Sequence, residues 1–145
     1  MRPESIVNFE RFYLGAMGVG IINSVLTWND AQEMVAADMA ASGLGSGFLV
    51  ATIGIGLAIT LLLWYFVARR GSNIAKWIIT IFFGLGLLFM IPTLFGPAPL
   101  PGGTIGLVLT LVSTAMQGYA VYMLFQSDAV AWLKGESKVD PGTFN

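Results

Sequence analysis

The feature that most constrains this chain is the recurrence of four apolar stretches, each about 20 residues long and each bounded by charge or by glycine and proline. A helix rises about 1.5 Å per residue, so one such stretch is long enough to cross roughly 30 Å of hydrocarbon. The stretches cover residues 5–26, 44–68, 74–95 and 104–126 and leave little besides turns and a tail, 127–145. Only 10% of residues are charged, whereas soluble domains carry about a quarter. The predicted fold is an all-α membrane protein: a four-transmembrane-helix bundle, with residues 1–145 as a single membrane domain.

The boundaries carry their own signals. Pro3 suits the first turn of a helix, where its missing N–H costs nothing, and Glu4 beside it complements the helix dipole. Arg69 and Arg70 close the second span, Gly71 can adopt a left-handed C-cap, and Ser72 or Asn73 can cap the third span. Between spans three and four, Gly96, Pro97, Pro99, Pro101, Gly102 and Gly103 prevent either helix from continuing. Pro92 predicts a kink in the third span. The first stretch is longer than a signal-peptide core and carries Glu10 and Arg11, which predicts a retained span. Between spans one and two, Asp30 followed by Glu33 resembles a capping box ahead of an Ala- and Met-rich run, predicting a short outer amphipathic helix.

Charge sets the expected orientation. Arg2, Arg11, Arg69, Arg70, Lys76, Lys134 and Lys138 all fall at the N-terminus, around the second turn or in the tail, and four crossings place these on one side. The loop between spans one and two carries only Asp30, Glu33 and Asp38, and the proline-rich hairpin has no charge. The positive-inside rule then predicts N-in and C-in.

Helices surrounded by lipid associate through small residues and a few polar contacts. In the second span Gly43, Gly47, Ala51, Gly54 and Ala58 share one helical face and form a predicted packing stripe. Ala16, Gly20 and Asn23 line the first span in the same way, Gly106, Thr110, Ser113, Gln117 and Ala120 the fourth, and Lys76, Thr80 and Gly84 the third. Asn23, Thr80 and Gln117 are the expected polar contacts within the bundle, with Tyr13, Thr80 or a backbone carbonyl as partner for the Gln117 amide. Glu10 and Arg11 are the expected interfacial charges, too close to the helix start to lie mid-membrane and pointing about 100° apart.

Chemistry is sparse by comparison. With neither cysteine nor histidine, the chain lacks thiolate nucleophiles, imidazole bases and the commonest metal ligands. The spacing of Asp30, Glu33 and Asp38 reads as a solvated face and not as a cation site, and the short glycine repeats lack the context of a phosphate loop. No metal or cofactor is implied. A net charge of −1 without a basic run argues against nucleic acid as a partner.

The opening Arg2-Pro3-Glu4-Ser5-Ile6 with Phe9-Glu10, and the closing Leu124-Phe125, Asp128-Ala129 and Ala131-Trp132-Leu133, resemble the termini of small four-span bacterial inner-membrane proteins. The resemblance implies location and architecture and carries no activity. Rich packing signals beside poor chemical ones predict a non-catalytic integral membrane protein acting through association. It would be an accessory subunit of a larger membrane complex or a homo-oligomer, its partners being the lipid bilayer and itself or other membrane proteins. The alternative is a small transporter or channel subunit, with Asn23, Gln117 and hydroxyls lining a path.

Overall fold

The computed structural model describes residues 2–43, 46–96 and 102–135. Those residues form helices joined by turns, with no strand: α1 (Glu4–Leu26), α2 (Trp28–Ala41), α3 (Ser46–Ala68), α4 (Asn73–Phe95), α5 (Gly103–Met123) and α6 (Ser127–Lys134). Three of them contain segments long and apolar enough to cross a membrane, namely Gly47–Ala68, Asn73–Pro92 and Gly103–Met123. The first helix matches them in length, at 23 residues, but Glu10, Arg11 and Asn23 dilute its apolar character. The expectation of four spans thus narrows to three helices that qualify by composition and a fourth of spanning length.

Local chemistry explains most of the boundaries. Pro3 stands one residue outside α1, and its carbonyl accepts from the N–H groups of Ile6 and Val7 at 3.1 and 3.2 Å. The turn between α3 and α4 uses Gly71 at φ +62° and Ser72, whose hydroxyl accepts from the Ala75 N–H at 3.3 Å. Glycine is required at position 71 for a second reason. A Cβ there would lie 3.3 Å from both the carbonyl oxygen and the indole Nε1 of Trp132, because α6 packs against the turn.

Two boundaries depart from expectation. The fourth apolar stretch is helical only to Met123: the N–H groups of Leu124, Phe125 and Gln126 bond three residues back, and Gln126 is extended. Helix α6 is therefore a separate element folded back against α1, not a continuation of α5. Helix α2 begins at Trp28, one residue after α1 ends, and Asp30 does not cap it. The Asp30 carboxylate instead accepts from the N–H of Gly102, 2.6 Å away at the start of α5.

Helices α1 and α5 form an antiparallel pair in contact over their whole length. Towards the chain start Phe12 meets Tyr119, midway Ala16 meets Ser113, and at the far end Asn23 meets Thr110 and Thr27 approaches Gly102. Helix α3 of the hairpin is buried only near the turn, whereas α4 also follows α5 further out, where Phe83 lies against Gly118 and the Thr114 hydroxyl is 3.7 Å from Met90 Sδ. Buried residues of α3 are Leu63, Val67 and Ala68, and those of α4 are Ala75, Lys76 and Ile79, all close to the turn between them. There they complete a core with Ile6, Phe9, Ala120 and Leu124. Every described lysine and arginine also sits at this basic end, and from it α3 diverges from α1 and α5, leaving a wedge.

Candidate functional site

The closed end of the wedge is held by polar contacts among segments distant in sequence. Glu10 accepts from Arg2 Nη1 through one carboxylate oxygen and from Arg69 Nη2, at 3.3 Å, through the other. Arg69 also lies over the Trp64 ring, 5.7 Å from its centroid, so one carboxylate ties the N-terminal segment to the end of α3. Asp128 makes the corresponding link to α6. Its carboxylate accepts from the Ser5 hydroxyl at 2.6 Å, the Ser5 N–H at 3.2 Å and its own neighbour Ala129 N–H at 2.9 Å. Pro3 offers no capping side chain, so Asp128 serves as the cap of α1 from another helix. The Ser5 hydroxyl, the largest influence, holds the Asp128 carboxyl below its ordinary value against the opposing effect of burial, and the backbone amides add to the lowering.

Lys76 is 5% exposed in the first turn of α4. Its ammonium sits 3.9 Å from the centroid of the Phe125 ring and has no carboxylate partner among the described residues. An aromatic face takes the place of a counter-ion.

Above this closed end the helices enclose a crevice of about 750 Å³ lined by α1, α3, α4 and α5 and by Trp28 at the start of α2. It runs from Tyr13, Leu63 and Gln117 at the bottom to Val25, Trp28 and Val50 at the top. Register places the bottom residues level with one another. Ser113 bonds the Ala16 carbonyl, and a Cβ at Gly15 would lie 2.6 Å from Met116, so Gln117 stands at the height of Tyr13. The Tyr13 hydroxyl is directed at Thr60 of α3. The rest of the lining is mainly apolar, and no acidic or basic side chain belongs to it.

The polar residues singled out from sequence meet different fates. Asn23 does bridge helices, its Nδ2 donating to Thr110 Oγ1 at 3.1 Å, while its buried Oδ1 has no partner among the described residues. Thr80 donates to the Lys76 carbonyl one turn back, 2.9 Å away, so it serves its own helix and not the bundle. Gln117 has none of the expected partners: among the described residues nothing pairs with its amide, and the residue lines the crevice that the divergence of α3 leaves. Glu10 and Arg11 diverge as their spacing requires, Glu10 into its two ion pairs and Arg11 to an exposed position. Among the described residues no three acidic side chains converge; the side chain of Asp38 lies outside that set.

The stripes also divide. Those of α1 and α5 form a true seam, with Ala16, Gly106, Ser113 and Ala120 buried against each other's helices and the Ser113 hydroxyl 3.0 Å from the Ala16 carbonyl. The stripe of α3 meets nothing within the chain. A Cβ added at Gly43, Gly47 or Gly54 would find open space, and Ala51 and Ala58 are exposed. Gly43 precedes α3 altogether, in the turn after α2 at φ +67°. Gly84 on α4 is likewise open. The inference that every helix spends its small-residue face inside one bundle is corrected accordingly: two do, and α3 does not.

Sequence reasoning missed Asp128 and Arg69 as partners of the chain start. The missing capping side chain at Pro3 was the available sign that α1 needed an acceptor from elsewhere. Comparison with family models, with curated proteins and with solved structures returns no match for this chain, and its own geometry carries the functional reading.

Proposed function

We propose that this chain is a four-span membrane protein, N-in and C-in, that acts by association, with α3 docking on a second copy or on a larger membrane complex. The observation that carries the reading is the α3 face formed by Gly47, Ala51, Gly54 and Ala58, which stays open along a helix of 23 residues. Only 6% of the spanning segment of α3 is buried, against 22% for α5. Small residues at four-residue steps let two backbones approach closely in lipid, where van der Waals packing is the main attraction between helices.

Two features support the fourth crossing. Helix α1 lies along α5 from Phe12–Tyr119 to Thr27–Gly102, which supports its crossing wherever α5 crosses. Its charges are also accommodated, since Glu10 pairs with arginines at the basic end. The distribution of Lys and Arg supports N-in and C-in, and the resemblance of both termini supports a bacterial inner membrane. Transport has less to recommend it, because no charged side chain lines the crevice.

The test is energy transfer between labelled copies of the full chain diluted into lipid vesicles. The wild type should associate, Gly54→Leu should weaken association by roughly tenfold, and Leu88→Ala on exposed α4 should leave it unchanged. A wild type that is monomeric at every dilution, or a Gly54→Leu variant equal to wild type, contradicts self-association.

A further inference from the structure

The crevice presents a different surface from the docking stripe. Taking about 100° per residue, the crevice-facing Val50, Ile53, Leu57 and Thr60 lie roughly 120° around α3 from the stripe of Gly47, Ala51, Gly54 and Ala58. The two faces can therefore serve two partners independently.

We propose that the crevice binds a membrane-soluble amphiphile: one long apolar chain ending in a small, neutral head that offers a carbonyl or hydroxyl oxygen. Three features of the site define this ligand. The first is its form. Tyr13 and Val25 are 12 residues apart along the α1 lining, so the slot is about 18 Å long and suits an extended chain better than a compact molecule. The second is the distribution of polarity. The upper part is mainly Ile21, Val25, Val50 and Ile53, with the Ser24 hydroxyl among them, whereas Tyr13, Thr60 and Gln117 gather at the bottom. The Gln117 amide is unpaired there, and leaving such a group without a partner in apolar surroundings is costly. It can donate to a carbonyl or accept from a hydroxyl.

The third feature is charge. No acidic or basic residue lines the slot, and its bottom is separated from the basic end by the packed layer of Phe9, Leu63 and Ala120. A phosphate or carboxylate head would be left without a counter-ion in low dielectric, which excludes phospholipid and fatty-acid heads from the bottom of the site. Access is lateral as well as from above, since Ile21 (41% exposed), Val50 (58%) and Phe82 (53%) form its margins. A ligand already dissolved in the bilayer can enter head first between the helices. Two membrane sources share this chemistry, an isoprenoid quinone and a neutral acylglycerol.

The experiment uses the full chain in phosphatidylglycerol vesicles and a benzoquinone carrying a photoreactive diazirine on a long alkyl tail. Labelling should saturate and map to residues of the upper lining such as Val25 or Val50. It should be competed by decylubiquinone or by dioleoylglycerol, the stronger competitor identifying the natural source. Gln117→Leu should raise the saturation midpoint by roughly five- to tenfold, the effect of losing one hydrogen bond in an apolar site. Ile53→Trp, which fills the slot from its margin, should abolish labelling. Gly54→Leu should leave the midpoint unchanged, so a failure of association and a failure of ligand binding are told apart. Labelling that never saturates, or a Gln117→Leu midpoint equal to wild type, overturns the proposal by reducing the slot to bulk lipid contact. Disulfide formation between copies carrying Val50→Cys overturns it in favour of a second chain as occupant.

Discussion

Replacing Asp128 by alanine removes three hydrogen bonds at once: from the Ser5 hydroxyl, from the Ser5 N–H and from the Ala129 N–H. Loss of a capping side chain costs about 0.5–2 kcal/mol, and the carboxylate here caps α1 while closing the first turn of α6. The group is only partly buried, so solvent replaces some of the loss, and about 2 kcal/mol is expected for Asp128→Ala. Asp128→Asn, which retains one acceptor without the charge, should lose roughly half as much. The sign of the pH dependence follows from the depressed carboxyl. Its contribution is fully present above the unfolded carboxylate value of about 3.9 and disappears as pH falls through the lower folded value. Thermal unfolding in mild detergent, followed by circular dichroism between pH 2 and 7, reads both effects. If Asp128→Ala unfolds like wild type at pH 7 and keeps the same acid limb, the capping role is wrong.

The α1–α5 seam and its far end give two further outcomes for the same assay. Ser113→Ala should cost about 1 kcal/mol, because the Ala16 carbonyl loses a buried donor, and a smaller loss would mean that the carbonyl finds another partner. Gly102→Ala should cost more than Gly103→Ala, although both glycines have positive φ: a Cβ at Gly102 would lie 2.5 Å from Thr27 Cγ2, whereas Gly103 faces open space. Equal losses would show that Thr27 yields freely.

Span ends were legible in the sequence because charge, glycine and proline act locally. Gly71 and Ser72 behave as their chemistry requires, and Ala68 and Phe95 end their helices where charge or glycine begins. Partner choice was not legible. In a helix that is apolar all round, composition does not distinguish a face against lipid from one against protein, so the α3 stripe and the α5 stripe look alike in sequence. The structure separates them by where Leu63, Val67 and Ala68 anchor α3, which leaves Gly47 to Ala58 free of the bundle. The crevice was hidden for the same reason: Gln117 occupies a seam position in its helix, yet the divergence of α3 makes it part of the crevice lining. Asp128 and Glu10 find partners far along the chain, Ser5 and Arg69, and no local pattern specifies such pairs.

Whether α1 crosses the membrane decides the architecture, and absence of native cysteine makes it directly measurable. Single cysteines replace exposed Glu4, Glu33 and Arg70, one at a time, and intact cells are treated with a membrane-impermeant maleimide before and after permeabilisation. Four crossings with both ends inside predict that Glu33→Cys labels on intact cells and that Glu4→Cys and Arg70→Cys label only once the membrane is opened. Labelling of Glu4→Cys and Glu33→Cys from the same side would contradict the fourth span, and with it the bundle on which the α3 docking face and the crevice are built.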